Sequence, residues 1–319
     1  MLSYLTKRIY QGFFVLIIVV TLTFILEHFV PGGPAVVALG NRANPRTIRQ
    51  FNIDNGLDKS LIYQWWNYLL QIARLHLGNS ITQSAPVWYL IKSALGHTLV
   101  LVNVSLIIQF FLAIPLGIFQ AQRRNTKIDY FATLITFILY ATPVFLIGET
   151  LISVFAIKLH IFPVTVATDT GVFSLFTSPR QYILPVLTLS LLGVGGLSRF
   201  QRSSMLDTLT QDYIKTARAK GLPEKLVIRR HALRNSMLPI VTIIGLSLPA
   251  VVGGALITET LYDIPGMGLL TLRAATSQDM PTVVGTTIIA TVVTVLGSIV
   301  ADLLYAVADP RIRIGSKGN

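Results

Sequence analysis

Residues equipped for chemistry are few and scattered in this chain. Cysteine is absent, which removes disulfides, thiolate nucleophiles and sulfur metal ligands together. Histidines 28, 76, 97 and 160 stand far apart, with no His-x3-His or similar local pair to hold a metal ion. No lysine follows a glycine, so the GxxxxGK[ST] loop that cradles nucleotide phosphates is missing and the chain cannot be an ATPase by that route. One acid, Glu149, falls inside an apolar run, where an ionisable side chain is expensive and by default a functional candidate; a carboxylate bonded to a neighbouring helix is the plainer alternative. The densest polar chemistry lies in "DYIKTARAKGLPEKLVIRRHALRN", residues 212–235, which holds seven Lys and Arg.

The elements that must position these residues are apolar. The chain has 319 residues, 52% hydrophobic and 13% charged, with a mean hydropathy of +0.65, far from a soluble domain with about a quarter of its residues charged. A net charge of +12 raises the question of nucleic acid, but no aromatic-basic platform accompanies it, and basic cytoplasmic loops account for it. A hydrocarbon core about 30 Å thick needs about 20 apolar residues of helix. Six segments qualify, at 10–30, 98–120, 131–157, 182–197, 237–257 and 283–307. The fourth is short and ends in "GVGG", where a tilted or broken helix is expected. Pro115, Pro143, Pro185 and Pro249 fall in or near spans and are candidate kinks.

With the N-terminus inside, the inner segments carry Lys7, Arg8, Arg123, Arg124, Lys127, Arg199, Arg202, the seven basic residues of 212–235, Arg311, Arg313 and Lys317. The outer connections carry Lys158, Arg180 and Arg273 in the two short loops and six more basic residues in the long segment from Pro31 to Gly96, and the remaining asymmetry supports a cytoplasmic N-terminus. The reading is an all-α integral membrane protein with six transmembrane helices. It has a small external segment after the first helix, in which Leu61, Trp65, Tyr68, Leu69 and Ile72 form a helical stripe. The division is 1–30 for the first membrane helix, 31–97 for the external segment and 98–319 for a five-helix core.

The basic segment lies on the inner surface. Asp212 suits a helix N-cap, Gly221 a C-terminal stop, and Pro223 the first turn of a second short helix, giving helix, turn, helix. Tyr213, Ala217 and Leu222 form a small apolar face, and the alanines allow another chain to approach. Contact with anionic lipid, worth about 1 kcal/mol per basic residue, explains the charges equally well.

At these residues the sequence resembles the permease family of binding-protein-dependent ABC importers, in particular the first permease of dipeptide, oligopeptide and nickel systems. The resemblance rests on "FVPGGPA", "TARAKGL", "RHALRN", "TETLYDIPGMGLL" and "DLLYAVADPRIR", in that order along nearly the whole chain. It implies that the loop 207–235 is the coupling segment that seats on an ATP-hydrolysing subunit, through Tyr213, Lys215, Thr216, Ala217, Arg218, Ala219, Lys220, Gly221 and Leu222. The wider importer pattern begins Glu-Ala-Ala with a later Gly. Here those positions are Lys215, Thr216, Ala217 and Gly221, so no ion pair of the acidic position carries over. Gly33 likewise stands where many relatives have Asp. The resemblance further implies a homologous second permease, two ATPase subunits carrying ATP and Mg, and an extracytoplasmic solute-binding protein. It also implies a bacterial inner-membrane location with both termini cytoplasmic. Glu149 is then a candidate for the translocation path, and di- or oligopeptide the expected solute, with nickel the alternative. An ion-driven secondary transporter would carry paired intramembrane charges or inverted halves. A membrane hydrolase would need His near Ser or paired acids within the spans, and neither pattern is evident.

Overall fold

The computed structural model describes residues 2–29, 33–39, 44–167, 171–237, 240, 243 and 255–308. Among them, regular structure is helical apart from one isolated bridge between Asn79 and Pro86. In chain order the helices are α1 Leu2–Phe29, α2 Gly33–Leu39, α3 Pro45–Asp54, α4 Leu61–Ala73, α5 Val87–Gln122, α6 Lys127–Ala141 and α7 Val144–Leu151, the last continued by a π-helical segment Ile152–Lys158. Then come α8 Ser174–Thr177, α9 Pro179–Leu209, α10 Asp212–Ala219 and α11 Glu224–Leu226, with a π-helical segment Val227–Ala232 leading into α12 Leu233–Ser236. The last three are α13 Leu256–Tyr262, α14 Met267–Thr276 and α15 Met280–Ala308.

Four of these helices are long and apolar enough to cross a bilayer, over Thr6–Phe29, Val87–Gln122, Pro179–Leu209 and Met280–Ala301. The expected span 131–157 is not one helix. Thr142 is extended and Pro143 opens a new helix, because proline disfavours the α conformation in the residue before it and lacks an N–H to continue the ladder. The pieces meet at 106°, as a bent span or a re-entrant turn. Pro115 and Pro185, by contrast, sit inside continuous helices. Pro249 and most of the expected span 237–257 lie outside the described residues.

The fourth span departs from expectation in the other direction. The helix α9 runs unbroken through Gly193, Gly195 and Gly196. These glycines serve packing: a Cβ on Gly195 would lie 2.7 Å from the Thr136 carbonyl and the Tyr140 amide of α6, and one on Gly193 would overlap the Gln109 amide of α5. Small residues let backbones approach closely where water exclusion supplies no driving force. Along the same seam, Gly117 of α5 meets the Ser198 carbonyl, and the Ser190 hydroxyl donates to the Ser105 carbonyl at 3.0 Å.

At the N-terminal end of α6, Arg202 donates Nε to Asp129 Oδ1 at 3.0 Å and Nη2 to Oδ2 at 2.8 Å. The Asp129 side chain is only 2% exposed, and it also accepts the Asn125 N–H. Removing one partner of a buried pair leaves the other uncompensated, so Arg202→Ala is expected to cost roughly 3 kcal/mol. The thermal unfolding midpoint in detergent should fall, with Arg202→Lys recovering part of the loss. An unchanged midpoint for Arg202→Ala would remove the clamp from this account.

The apolar stripe of α4 docks on α1. Trp65 Nε1 donates to Thr21 Oγ1 at 3.0 Å, Tyr68 donates to Glu27 at 3.1 Å, and the His28 ring bridges the Phe24 carbonyl and Gln64 Oε1. The Gln64 NH2 donates to the Leu57 and Lys59 carbonyls, which fixes its oxygen toward His28. The stripe therefore packs alongside α1, since Thr21 lies about 12 Å from the C-terminal end of α1 at 1.5 Å per residue. Of the two tryptophans, Trp65 is half-buried in this contact and Trp66 is exposed. Residues 87–97 form the first turns of α5.

Two buried carboxylates tie α5 and the turn before it to α13, α14 and α15. Asp279 accepts from the Ser80 hydroxyl, from Thr82 Oγ1 at 2.9 Å and from the Ile81 N–H at 3.2 Å, pinning the turn before α5 to the junction of α14 and α15. Burial alone pushes its carboxyl up, but these donors together hold it below the usual range. Glu259 of α13 is fully buried. It accepts from Thr98 Oγ1 of α5 at 2.6 Å and from the Gly268 and Leu269 N–H groups at 2.7 and 3.1 Å. An internal carboxylate thus caps the N-terminus of α14.

Candidate functional site

The basic segment forms a knob at the C-terminal end of α9. Ile214 and Ala217, three apart on α10, are buried with Met205, Ala121, Val227 and Ala232. Leu222 and Ile228 pack at the edge of this cluster. The expected outward apolar face is thereby corrected: Ala217 faces the stem, and Ile214, which the reading of Tyr213, Ala217 and Leu222 passed over, is the anchor. The signal was the i, i+3 spacing of Ile214 and Ala217. Tyr213 is exposed and its hydroxyl accepts from Asn235 Nδ2 at 2.7 Å. The outward surface is instead Lys215, Thr216, Arg218, Ala219 and Lys220.

The turn has the geometry its residues dictate. Gly221 has φ +75°. Its N–H donates to the Arg218 carbonyl at 2.9 Å, and the Leu222 N–H reaches back to the Ala217 carbonyl at 3.4 Å. This is the Schellman pair, with the usual apolar contact across it between Leu222 and Ala217. Gln211, not Asp212, occupies the N-cap position; Asp212 is the first helical residue and pairs with Lys215 at 2.8 Å. Across the turn, Arg218 grips Glu224 with two bonds of 3.1 and 2.6 Å. The Arg218 hydrogen bond holds the Glu224 carboxyl below the usual range. One of the seven positive charges is thus spent inside the knob, holding α10 to α11. Lys220, Lys225, Arg229 and Arg230 remain exposed around it.

Glu149 lies on the exposed side of α7, beside Gly148. The Gly148 carbonyl accepts from the Tyr262 hydroxyl, which also bonds Thr188 Oγ1 at 2.8 Å. The structure thus places Glu149 near the C-terminal end of α7, after the 106° bend and far along the chain from the knob, and among the described residues no ion pair reaches it. Gly33 begins α2 with φ +69°, a conformation glycine adopts without strain. Sequence reasoning missed Glu259, although "TETLYDIPGMGLL" spaces the acid seven and nine residues before the two glycines that let it approach.

Comparison with known proteins follows this geometry. The family described as "Binding-protein-dependent transport system inner membrane component" matches residues 113–314, and its N-terminal companion matches residues 1–102. The chain therefore belongs to this family of integral membrane permease subunits of ABC transporters. It is 37% identical to the oligopeptide transport system permease protein AppB of Bacillus subtilis, over 98% of this chain and 99% of that one. It is 34% identical to the glutathione transport system permease protein GsiC of Pectobacterium atrosepticum, over 98% and 99%. In fold it resembles a chain of the MetNI methionine ABC transporter in an inward-facing conformation. The TM-score is 0.52 at 14% identity, covering 69% of this chain and 98% of that one.

Proposed function

We propose that the chain is a peptide-translocating permease subunit of a binding-protein-dependent ABC importer in a bacterial inner membrane. The observation that carries this reading is the end-to-end likeness to permeases named for oligopeptide and glutathione, both short peptide solutes. The chain works with a homologous second permease, two ATPase subunits that bind ATP and Mg, and an external solute-binding protein. The knob of α10 and α11 seats on an ATPase subunit through Lys215, Thr216, Arg218, Ala219, Lys220 and Gly221. Ile214, Ala217 and Leu222 join it to the stem of α9, so closure of the ATPases displaces the inner end of that helix. Glu149, beside the bend, faces the path the solute takes. Six spans complete the topology, the fifth within 237–257. Co-expression with the products of neighbouring genes, followed by purification in mild detergent and reconstitution, tests the whole reading. ATP-dependent uptake of labelled di- and oligopeptides is expected. A lone homodimer with ion-driven uptake and no ATPase would sink it.

Orientation is tested separately in this cysteine-free chain. Single cysteines replacing Lys127 and Lys225 should resist an impermeant thiol reagent in intact cells, and a Lys59→Cys variant should react, because the basic asymmetry places the first two inside. Labelling of Lys225→Cys from outside would invert the topology.

A further inference from the structure

Two arginines three residues apart on α9 have different fates. Arg202 is neutralised by the bidentate bond to Asp129. Arg199 has no carboxylate or carbonyl partner among the described residues, and its guanidinium instead lies over the Tyr140 ring, 5.2 Å from the centroid, with Phe137 at 5.9 Å. The hydroxyls of Tyr140 and Ser203 likewise make no hydrogen bond among the described residues. These three donors line one groove of about 540 Å³ between α6 and α9, with Gly196 leaving part of its wall bare and Phe200, 60% exposed, on its rim.

From this convergence we propose that the groove holds the phosphodiester headgroup of an anionic phospholipid of the inner leaflet, gripped by Arg199 and the hydroxyls of Tyr140 and Ser203. The depth fits. Asp129 lies in the first turn of α6 beside the basic turn of Arg123, Arg124 and Lys127, and Arg199 lies about 4.5 Å farther along α9, toward the apolar end, at 1.5 Å per residue. There an uncompensated guanidinium is costly, and a phosphate offers the planar two-bond match that arginine favours. The walls fit as well. Phe200 lines the groove and Phe137 lies 5.9 Å from the guanidinium, both exposed large apolar side chains beside the cationic end, the arrangement that acyl chains require below a headgroup. A carboxylate from a second protein chain would satisfy the charge but not an apolar wall continuous with the bilayer. The proposal rests on the orientation proposed above for its choice of leaflet, and it is independent of the transported solute.

The test is native mass spectrometry of the full chain released from bilayers of equal phosphatidylglycerol and phosphatidylcholine. Phosphatidylglycerol should be retained preferentially. Arg199→Gln should reduce that retention roughly fivefold, the loss expected for one basic contact near the surface. Arg199→Lys should restore part of it. The Tyr140→Phe, Ser203→Ala double variant keeps the charge and removes two hydroxyls, so it carries the test if Arg199→Gln fails to insert; it too should lower retention. A photoreactive benzoylphenylalanine at position 200 in intact membranes should capture phospholipid. Capture of a protein chain there, or equal retention of the two lipids by the parent, or undiminished retention in a well-inserted Arg199→Gln, would each overturn the proposal.

Discussion

Gly221→Val is expected to abolish transport while leaving the chain fully inserted. At φ +75° a β-branched residue costs about 1–2 kcal/mol through its Cβ and the backbone. Nothing lies within 4 Å of the added Cβ, so the cost is backbone strain and not collision. The chain escapes that strain by opening the turn, which breaks the Gly221 and Leu222 hydrogen bonds and the Arg218–Glu224 grip together. Roughly a tenfold loss of the seated conformation follows from the strain alone. Co-purification of ATPase subunits should fall with uptake. Gly221→Asn is the informative control, because asparagine tolerates the left-handed region and should keep most activity. Parental uptake by a well-inserted Gly221→Val would take this turn out of the coupling proposal. If the segment served lipid contact alone, the same variant should be nearly silent, since every basic charge remains.

Glu259→Ala is expected to be the most destabilising single change where α5, α13 and α14 meet. It leaves Thr98 Oγ1 and the N–H groups of Gly268 and Leu269 without their acceptor, with Thr98 and Leu269 buried and Gly268 partly so. Losing the shared acceptor of two buried donors and one partly buried one costs roughly 3 kcal/mol. It also frees α13, α14 and α5 from one another at the point where they meet. Collapse cannot repair the gap easily, because Gly266 and Gly268 have no side chain to fill it. Their bare Cα atoms are what admit the carboxylate: a Cβ on Gly266 would overlap the Glu259 carboxyl, and one on Gly268 would lie 2.5 Å from Leu256 Cα. Glu259→Gln should fall between, since its one oxygen can keep the two N–H bonds while its NH2 faces Thr98 Oγ1, which already accepts the Met267 N–H at 2.8 Å. The thermal midpoint in detergent and protease resistance of the 263–266 turn measure the order parent, Gln, Ala. Equal stability of the Ala variant and the parent would mean that the cap is dispensable.

What the sequence by itself determined is whatever depends on composition and local backbone chemistry. Apolar runs of about 20 residues must be helices in a bilayer, since no water is there to satisfy an open backbone, and four of the described helices follow from that alone. The left-handed Gly221 was legible because a glycine followed by Leu-Pro after a short polar helix has few other conformations. The family was legible because its motifs recur in order along the chain, and the matches at 1–102 and 113–314 agree. Only the tertiary structure decided which face of a helix meets which neighbour. "GVGG" reads as a helix breaker until α6 is seen lying against Gly195. Pro143 and Pro185 read alike, yet one starts a new helix and the other sits inside α9. Arg199 and Arg202 are the same residue type three positions apart, and only Arg202 meets a carboxylate, because Asp129 arrives from 73 residues earlier in the chain. Ala217 was assigned outward and lies inward because Ile214 and Met205 complete a stem that no single helix displays. In each case the deciding partner is distant in sequence, and a one-dimensional pattern carries periodicity but not the identity of what packs against it.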